Sequence, residues 1–397
     1  MLELDSVQTL ALAGLALFLG YALCRMIPVL GRYNLPPPVI GGLVFALAAW
    51  AAHSRGATLF TLDTGLQSAL MIAFFTSIGA NASLRLLRVS GRQVIVFLAL
   101  ATVFAIAQNL LGMAVAVGFD LHPLFGVLAG STTLTGGPAT GLAFAPLFEQ
   151  AGVEGAESIA VASAMAGIVM GGLIGGPVIT LLIRRFGLVS TKPNQHRVPG
   201  EENIGPLPTE SEREHGALKS IVVILVAMWL GSWVSEWISA TGLTLPAYVG
   251  AMLVGAAIRN LDDRTGWVGM SVPTTDVIGN VCLGLFLSVA LMNLKLWELA
   301  GLALPLLVNL GLQVAMVALF CVVVFRVMGR DYDAAVMGGG FIGFMLGTTA
   351  NAMAVMRTLV ERYGMAPRAF LVAPLVGAFF IDFTNALVIT GFINFWS

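Results

Sequence analysis

Along the chain, apolar residues come in long runs rather than in the narrow stripe of a water-soluble helix. A helix crosses the roughly 30 Å hydrocarbon core with about 20 residues at about 1.5 Å each. By that measure the runs predict ten spans. Five lie near 6–24, 36–52, 64–81, 93–117 and 158–183; five more lie near 219–239, 245–258, 275–293, 300–325 and 369–393. Two stretches, 123–150 and 333–364, break the measure: both are apolar, rich in glycine and interrupted by hydroxyl residues. The stretch 187–218 is hydrophilic, with Pro193, Pro199, Pro206, Pro208 and mixed charge. It reads as a cytoplasmic connector with little fixed structure. The first run, Val7 to Cys24, follows Glu3 and Asp5 instead of a basic leader, so it is expected to be a retained membrane helix.

Lysine and arginine set the orientation, because they favour the cytoplasmic side. With the N-terminus outside, the inner loops hold all but Arg55 and Lys295 of the chain's 20 basic residues. Ten spans return the C-terminus to the outside. The count works only if 123–150 and 333–364 each enter and leave on one face. Both therefore read as re-entrant hairpins, with arms of about 12 residues reaching about 18 Å, a little past the middle of the bilayer. Non-helical backbone at that depth is tolerated only when buried in protein or lining a wet cavity.

The two sides of the connector repeat each other. LPPPVIGGLVF from Leu35 matches TLPAYVGAMLV from Thr244, and FFTSIGA from Phe74 matches LFLSVAL from Leu285. PLFGVLAGSTTLTGG from Pro123 matches DAAVMGGGFIGFMLG from Asp333; PLFEQAG from Pro146 matches TLVERYG from Thr358. The order is shared and the offset is nearly constant at about 210 residues. The expected organisation is a first repeat over 1–186, the connector 187–218 and a second repeat over 219–397. Each repeat has an odd number of spans, so the second is inverted. Inverted repeats with paired broken elements are the mark of secondary transporters, with the site where the tips meet near the midplane. The fold class is thus an all-α integral membrane protein of two inverted five-helix repeats.

Composition agrees. Hydrophobic residues make up 58% and charged residues 10% of the 397 positions, with mean hydropathy +0.91, too little charge to cover a soluble surface. No basic, aromatic-interleaved cluster suggests nucleic acid. Cys24, Cys282 and Cys321 fall in or near apolar runs without metal-ligand spacing, and read as inert thiols. No nucleophile–base set or metal cluster suggests an enzyme.

The chain also resembles the glutamate:sodium symporter (ESS) family over nearly its whole length. LPPPVIGGL, MIAFFTSIGANASL, GSTTLTGG, VMGGLIGGPV, LMNLKLWELA, GRDYDAAV, LVERYG and VGAFFIDFTNALVI carry the likeness. The resemblance implies a homodimer of ten spans with two re-entrant loops in the bacterial inner membrane. It also implies inward glutamate transport with sodium, by an elevator movement of a transport domain, without a further cofactor. The chain departs from the family at both tips. Where the family pattern has Gly-Gly-His-Gly-Thr, this chain has GGPAT, with Pro138 and Ala139; where it has Gly-Ala-Thr-Pro-Thr, this chain has GTTAN from Gly347.

The candidate site follows from the tips. Gly136 and Gly137 let backbone approach a ligand and accept positive φ. Carbonyls freed at a broken helix suit sodium, and freed N–H groups at a half-helix start suit a carboxylate. Thr133, Thr135, Thr140, Gly347, Thr348, Thr349 and Asn351 are the substrate candidates, with Arg357 as a bidentate carboxylate partner or an inner-face topology charge. Sodium candidates are Ser131, Asn81, Asp382 and Asn385. Asp382 would cost roughly 2.5–3.5 kcal/mol in mid-span and should face a cavity or partner. Asn385, three residues on, shares its helical face. Glu149 and Glu361, at matched places, suggest an ion pair or cap. Gln108 and Gln313 sit mid-span and suggest hydrogen bonds between helices. The four histidines fall in loops, which favours sodium over protons. The alternatives are symport of another small carboxylate and cation:proton antiport.

Overall fold

The computed structural model describes residues 2–33, 35–56, 60–85, 91–190, 210–240, 245–299 and 301–396. Its helices in chain order are α1 (Ser6–Met26), α2 (Pro28–Arg32), α3 (Pro37–His53), α4 (Gln67–Asn81) and α5 (Arg92–Gly118). Then follow α6 (Pro123–Val127), α7 (Gly137–Gln150), α8 (Ala156–Phe186), α9 (Glu210–Ser239), α10 (Ala247–Thr265) and α11 (Val272–Met292). The last are α12 (Ala303–Val327), α13 (Tyr332–Met345), α14 (Thr349–Tyr363), α15 (Pro367–Leu375) and α16 (Ile381–Trp396). Among the described residues, α1, α5, α8, Gly216–Ser239 of α9, α11 and α12 are long and apolar enough to cross a membrane.

The chain is all-helical in class, with one short strand pair beside the helices: β1 (Leu2–Leu4) pairs in parallel with β2 (Phe60–Leu62), Leu2 opposite Phe60. Within the connector expected over 187–218, α9 begins at Glu210. Residues 191–209 of the connector lie outside the described residues.

The helices sort into two bodies. In the first, α3 packs on α1 and α11, α10 packs on α9 and α4, and α4 packs on α11. In the second, α5 packs on α6 and α12, α8 on α7, α13 and α14, and α13 on α12, α14 and α15. Between them the contact surface is apolar: Val39, Phe75, Tyr248 and Phe286 of the first body share one buried cluster with Phe144, Phe148 and Ile389 of the second.

Lipid tails are as apolar as leucine, so helix association here rests on close packing instead of water exclusion. The first body shows how. A Cβ added to Gly41 would lie 1.8 Å from the Ala16 carbonyl oxygen, and one on Gly20 1.9 Å from that of Pro37. At the crossing of α9 and α10, a Cβ on Gly250 would lie 2.3 Å from the Gly231 oxygen. Only glycine lets these backbones touch. The second body packs aromatics instead: Phe341 meets Phe97, Phe104, Phe320 and Phe344 at 5.3–5.9 Å between ring centroids.

Beyond the apolar part of α10, the Asp262 carboxylate accepts from the amides of Val268, Gly269 and Met270 at 2.8–2.9 Å. Burial alone would push this carboxyl up. The three amides and Arg259 outweigh that and hold it below its ordinary value.

Candidate functional site

Both broken elements end at one place inside the second body. In the first, α6 runs into a wide π turn, Leu128–Thr132, and Gly130 leaves helical geometry at φ −103°, ψ −128°. Thr133–Gly136 turns the chain, and α7 starts at Gly137 with φ +70°. In the second, α13 ends at Met345 and α14 starts at Thr349, with the Thr348 side chain capping it by accepting from the Asn351 amide. The tips touch: a Cβ on Gly137 would lie 3.7 Å from the Gly347 oxygen and 3.8 Å from Thr348 Cγ2.

Broken backbone in a dry interior needs partners, and side-chain amides from crossing helices supply them. Asn109 of α5 accepts from the Ser131 amide at 2.8 Å. Asn309 of α12 donates to the Ala129 oxygen at 2.6 Å. Asn385 of α16 donates to the Ser131 oxygen at 2.9 Å. Asn351 of α14 donates to the Ile168 oxygen of α8 at 2.7 Å. Gln108 of α5 accepts from Thr135 Oγ1 at 2.6 Å and donates to the Met345 oxygen at 2.9 Å. Gln313 of α12 donates to the Gln108 main-chain oxygen at 2.8 Å. The two glutamines thus bond between helices, as their mid-span positions suggested. Gln108, Asn109, Asn309, Gln313, Asn351 and Asn385 are all buried.

These amides do not use every polar atom. Ser131 Oγ, Thr132 Oγ1, Asn385 Oδ1, Asn351 Oδ1 and Gln313 Oε1 are buried without a hydrogen-bond partner. Ser131 Oγ, Thr132 Oγ1 and Asn385 Oδ1 lie along the Ser131–Asn385 contact, Asn351 Oδ1 at the second tip and Gln313 Oε1 on α12 behind Gln108. A hard cation prefers such oxygen ligands. The start of α14, beside Thr348 and Thr349, presents amide N–H groups that suit a carboxylate.

Most sequence candidates fall at this place. Thr133, Thr135, Gly137, Thr140, Gly347 and Asn351 are buried, and Gly136, Thr348 and Thr349 half-buried, at the two tips. Thr133 Oγ1 donates to the Leu128 oxygen at 2.8 Å, and Thr349 Oγ1 to the Gly377 oxygen at 2.6 Å. The latter ties the second tip to a π turn, Val376–Phe380, between α15 and α16. Asp382 follows that turn in the first turn of α16, half-buried, one turn before Asn385.

Others fall elsewhere. Asn81 ends α4 in the first body, where its Nδ2 donates to Asp276 at 2.5 Å. Arg357 is exposed on α14, two turns past the tip. Glu149 and Glu361, expected as an ion pair or cap, are exposed, and the ion pairs among the described residues do not include them. His53 closes α3 and stacks on Trp297 at 4.0 Å.

Sequence reasoning missed Asn109, Asn309 and Tyr248. The two asparagines carried a usable signal, a bare amide inside an apolar run. Tyr248 carried none. On α10 it stacks on Phe75 at 3.8 Å, with Phe144 of α7 edge-on at 6.0 Å. Its buried hydroxyl has no partner and lies within electrostatic reach of Asp382.

Comparison with known proteins gives one answer along the whole chain. The sodium/glutamate symporter family model matches residues 2–365. A sodium/glutamate symporter of Haemophilus influenzae is 40% identical over 389 residues, 97% of this chain and 96% of that protein. One of Escherichia coli is 41% identical over 399 residues, 98% of this chain and 97% of that protein. This multi-pass membrane protein, a transporter and not an enzyme, belongs to the sodium/glutamate symporter family.

Proposed function

We propose that the chain carries glutamate across the bacterial inner membrane together with sodium, at the meeting point of the two tips. The observation that supports this most is the set of unpaired buried oxygens around Ser131, next to touching glycines from two broken helices. Ser131, Asn385 and Asp382 form the sodium side. Thr133, Thr135, Gly136, Gly137 and Thr140 of the first tip, with Gly347, Thr348, Thr349 and Asn351 of the second, form the substrate side. Arg357 and Asn81 are left out of this set: one is exposed and the other is engaged by Asp276.

The proposed architecture is ten spans and two re-entrant hairpins in inverted repeats, with both termini outside. The packing supports the repeat, since α3 lies on α1 and α11 as α10 lies on α9 and α4. Glycines 41 and 250, at corresponding positions, make corresponding close contacts. The proposed movement is an elevator slide of the second body along the first. Its support is the apolar surface between them, which has few directional bonds to break.

Energetics explain why a cation is needed. Glutamate carries one negative charge, and an inside-negative potential of about 100 mV opposes its entry by about 2.3 kcal/mol. One sodium makes the step electroneutral; a second lets the potential drive it. The test is uptake of labelled L-glutamate into proteoliposomes under an imposed sodium gradient and, separately, a proton gradient. Sodium-dependent uptake is expected. Uptake driven by protons alone overturns the coupling, and sodium-driven uptake of other small dicarboxylates in preference to glutamate overturns the substrate.

A further inference from the structure

The amide of Gln108 bonds both tips at once, one with each end. Its Oε1 accepts from Thr135 Oγ1 of the first at 2.6 Å, and its Nε2 donates to the Met345 oxygen, where the first arm of the second tip ends, at 2.9 Å. A carbonyl can only accept, so Met345 fixes which end of the amide is nitrogen, and Thr135 must then donate. The residue is fully buried, and Thr135 Oγ1 also lies 3.3 Å from Met345 Sδ. Gln313 holds the Gln108 main chain from α12, so the amide's position is fixed from behind. Buried hydrogen bonds of this kind switch between discrete arrangements instead of stretching, because a half-made bond leaves an unpaired polar group.

We propose that Gln108 is a positioning residue that carries the thermodynamic coupling between cation and substrate. The inference rests on the reading above, in which sodium binds beside the first tip and glutamate is held between both. A cation that draws in the Ser131 region fixes the first tip. Thr135, four residues on, then offers its hydroxyl to Gln108, and the other end of the same amide sets the Met345 carbonyl and the start of the second tip. Without the amide each tip can still bind and the tips still touch at Gly137 and Gly347, but the two-ended hydrogen bond that passes a change in one to the other is gone. Coupling free energies between sites commonly amount to about 5- to 150-fold in affinity, and one two-ended buried amide falls in that range.

The measurement is the KM for glutamate at low and at saturating sodium, in proteoliposomes, for wild type, Gln108→Met and Gln108→Glu. In the wild type, KM falls steeply as sodium rises. Gln108→Met, similar in shape with neither polar atom, is expected to lose most of that dependence, with a low-sodium to high-sodium KM ratio reduced about tenfold. Gln108→Glu keeps the size and the acceptor for Thr135 but turns an oxygen on Met345, and should lose the dependence too. It serves if the methionine variant does not fold. A merely structural role would lower the yield of monodisperse protein and Vmax without changing the KM ratio. An unchanged ratio in either folded variant overturns the inference. Thr349→Val separates the two levels. If it leaves the glutamate KM unaltered, the tip reading itself fails; if it raises KM while Gln108→Met keeps the sodium dependence, only the coupling role fails.

Discussion

The touching glycines, Gly137 and Gly347, should respond to alanine for opposite reasons. Gly137 has φ +70°, where a Cβ meets its own carbonyl, at a cost of roughly 1–2 kcal/mol. Its surroundings are permissive, with the nearest atoms at 3.7 and 3.8 Å. Gly347 has no positive φ, so its backbone accepts alanine. Its Cβ, however, would lie 2.6 Å from Asn351 Nδ2 and 3.2 Å from Ile168 Cα. The Asn351 amide must then leave the Ile168 oxygen, to which it donates at 2.7 Å. A buried donor and acceptor left unpaired cost about 1–3 kcal/mol, and overpacking against α8 adds about 1–3 kcal/mol. Gly347→Ala is therefore expected to be the worse of the two. In thermal melts of the purified protein it should lose more stability than Gly137→Ala. Its glutamate KM should rise about tenfold or more, since each 1.4 kcal/mol is worth about tenfold. A Gly137→Ala protein less stable than Gly347→Ala, or a Gly347→Ala protein matching wild type in both assays, would refute the assignment of the clash.

Three further outcomes follow from the same geometry. Asn385→Leu removes the donor to the Ser131 oxygen and the unpaired Oδ1 beside it; the sodium concentration for half-maximal uptake should rise about 5- to 150-fold, and Asp382→Asn should act in the same direction. Asp262→Ala strands three amides and should lower thermal stability at neutral pH by several kcal/mol at about 1.5–3 kcal/mol per charged bond. Because the folded pKa is depressed, that contribution is full above the unfolded value of about 3.9 and is lost only as pH falls through the lower folded value. The gap between wild type and variant should stay flat above pH about 5 and close in acid. Gly41→Val puts side-chain atoms into the Ala16 carbonyl and should prevent monodisperse assembly on size exclusion, while Gly14→Ala, with nothing within 4 Å, should behave as wild type.

How far the sequence reaches depends on whether a feature is local or relational. The breaks at Thr133–Gly136 and Leu346–Thr348 were legible because glycine and hydroxyl residues inside an apolar run have few uses in lipid. The expected repeat led to the expectation that the tips meet, and Gly137 lies against Gly347. Partners were not legible. Asn81 carries the same signal as Asn385, an amide in an apolar helix. Its neighbour is Asp276, 195 residues away, whereas Asn385 reaches Ser131 across 254. No periodicity along one helix distinguishes those cases, because the difference lies in which helices cross. Arg357 shows a related limit: proximity in sequence to a tip does not choose a helix face, and its side chain is exposed. The asparagines at 109 and 309 show the converse. Each looks like an isolated polar residue until the opposing backbone is known to be broken at Ser131 and Ala129. A transporter built this way needs its polar residues where its helices stop, so the side chains that repair the breaks and those that bind ligand draw on the same small group. At the first break the oxygens divide: Asn309 donates its amide to the Ala129 oxygen and its Oδ1 lies 3.5 Å from Gln313 Nε2, whereas Asn385 and Ser131 keep an acceptor free. In the proposed reading, those unspent oxygens beside Ser131 are where a cation would sit.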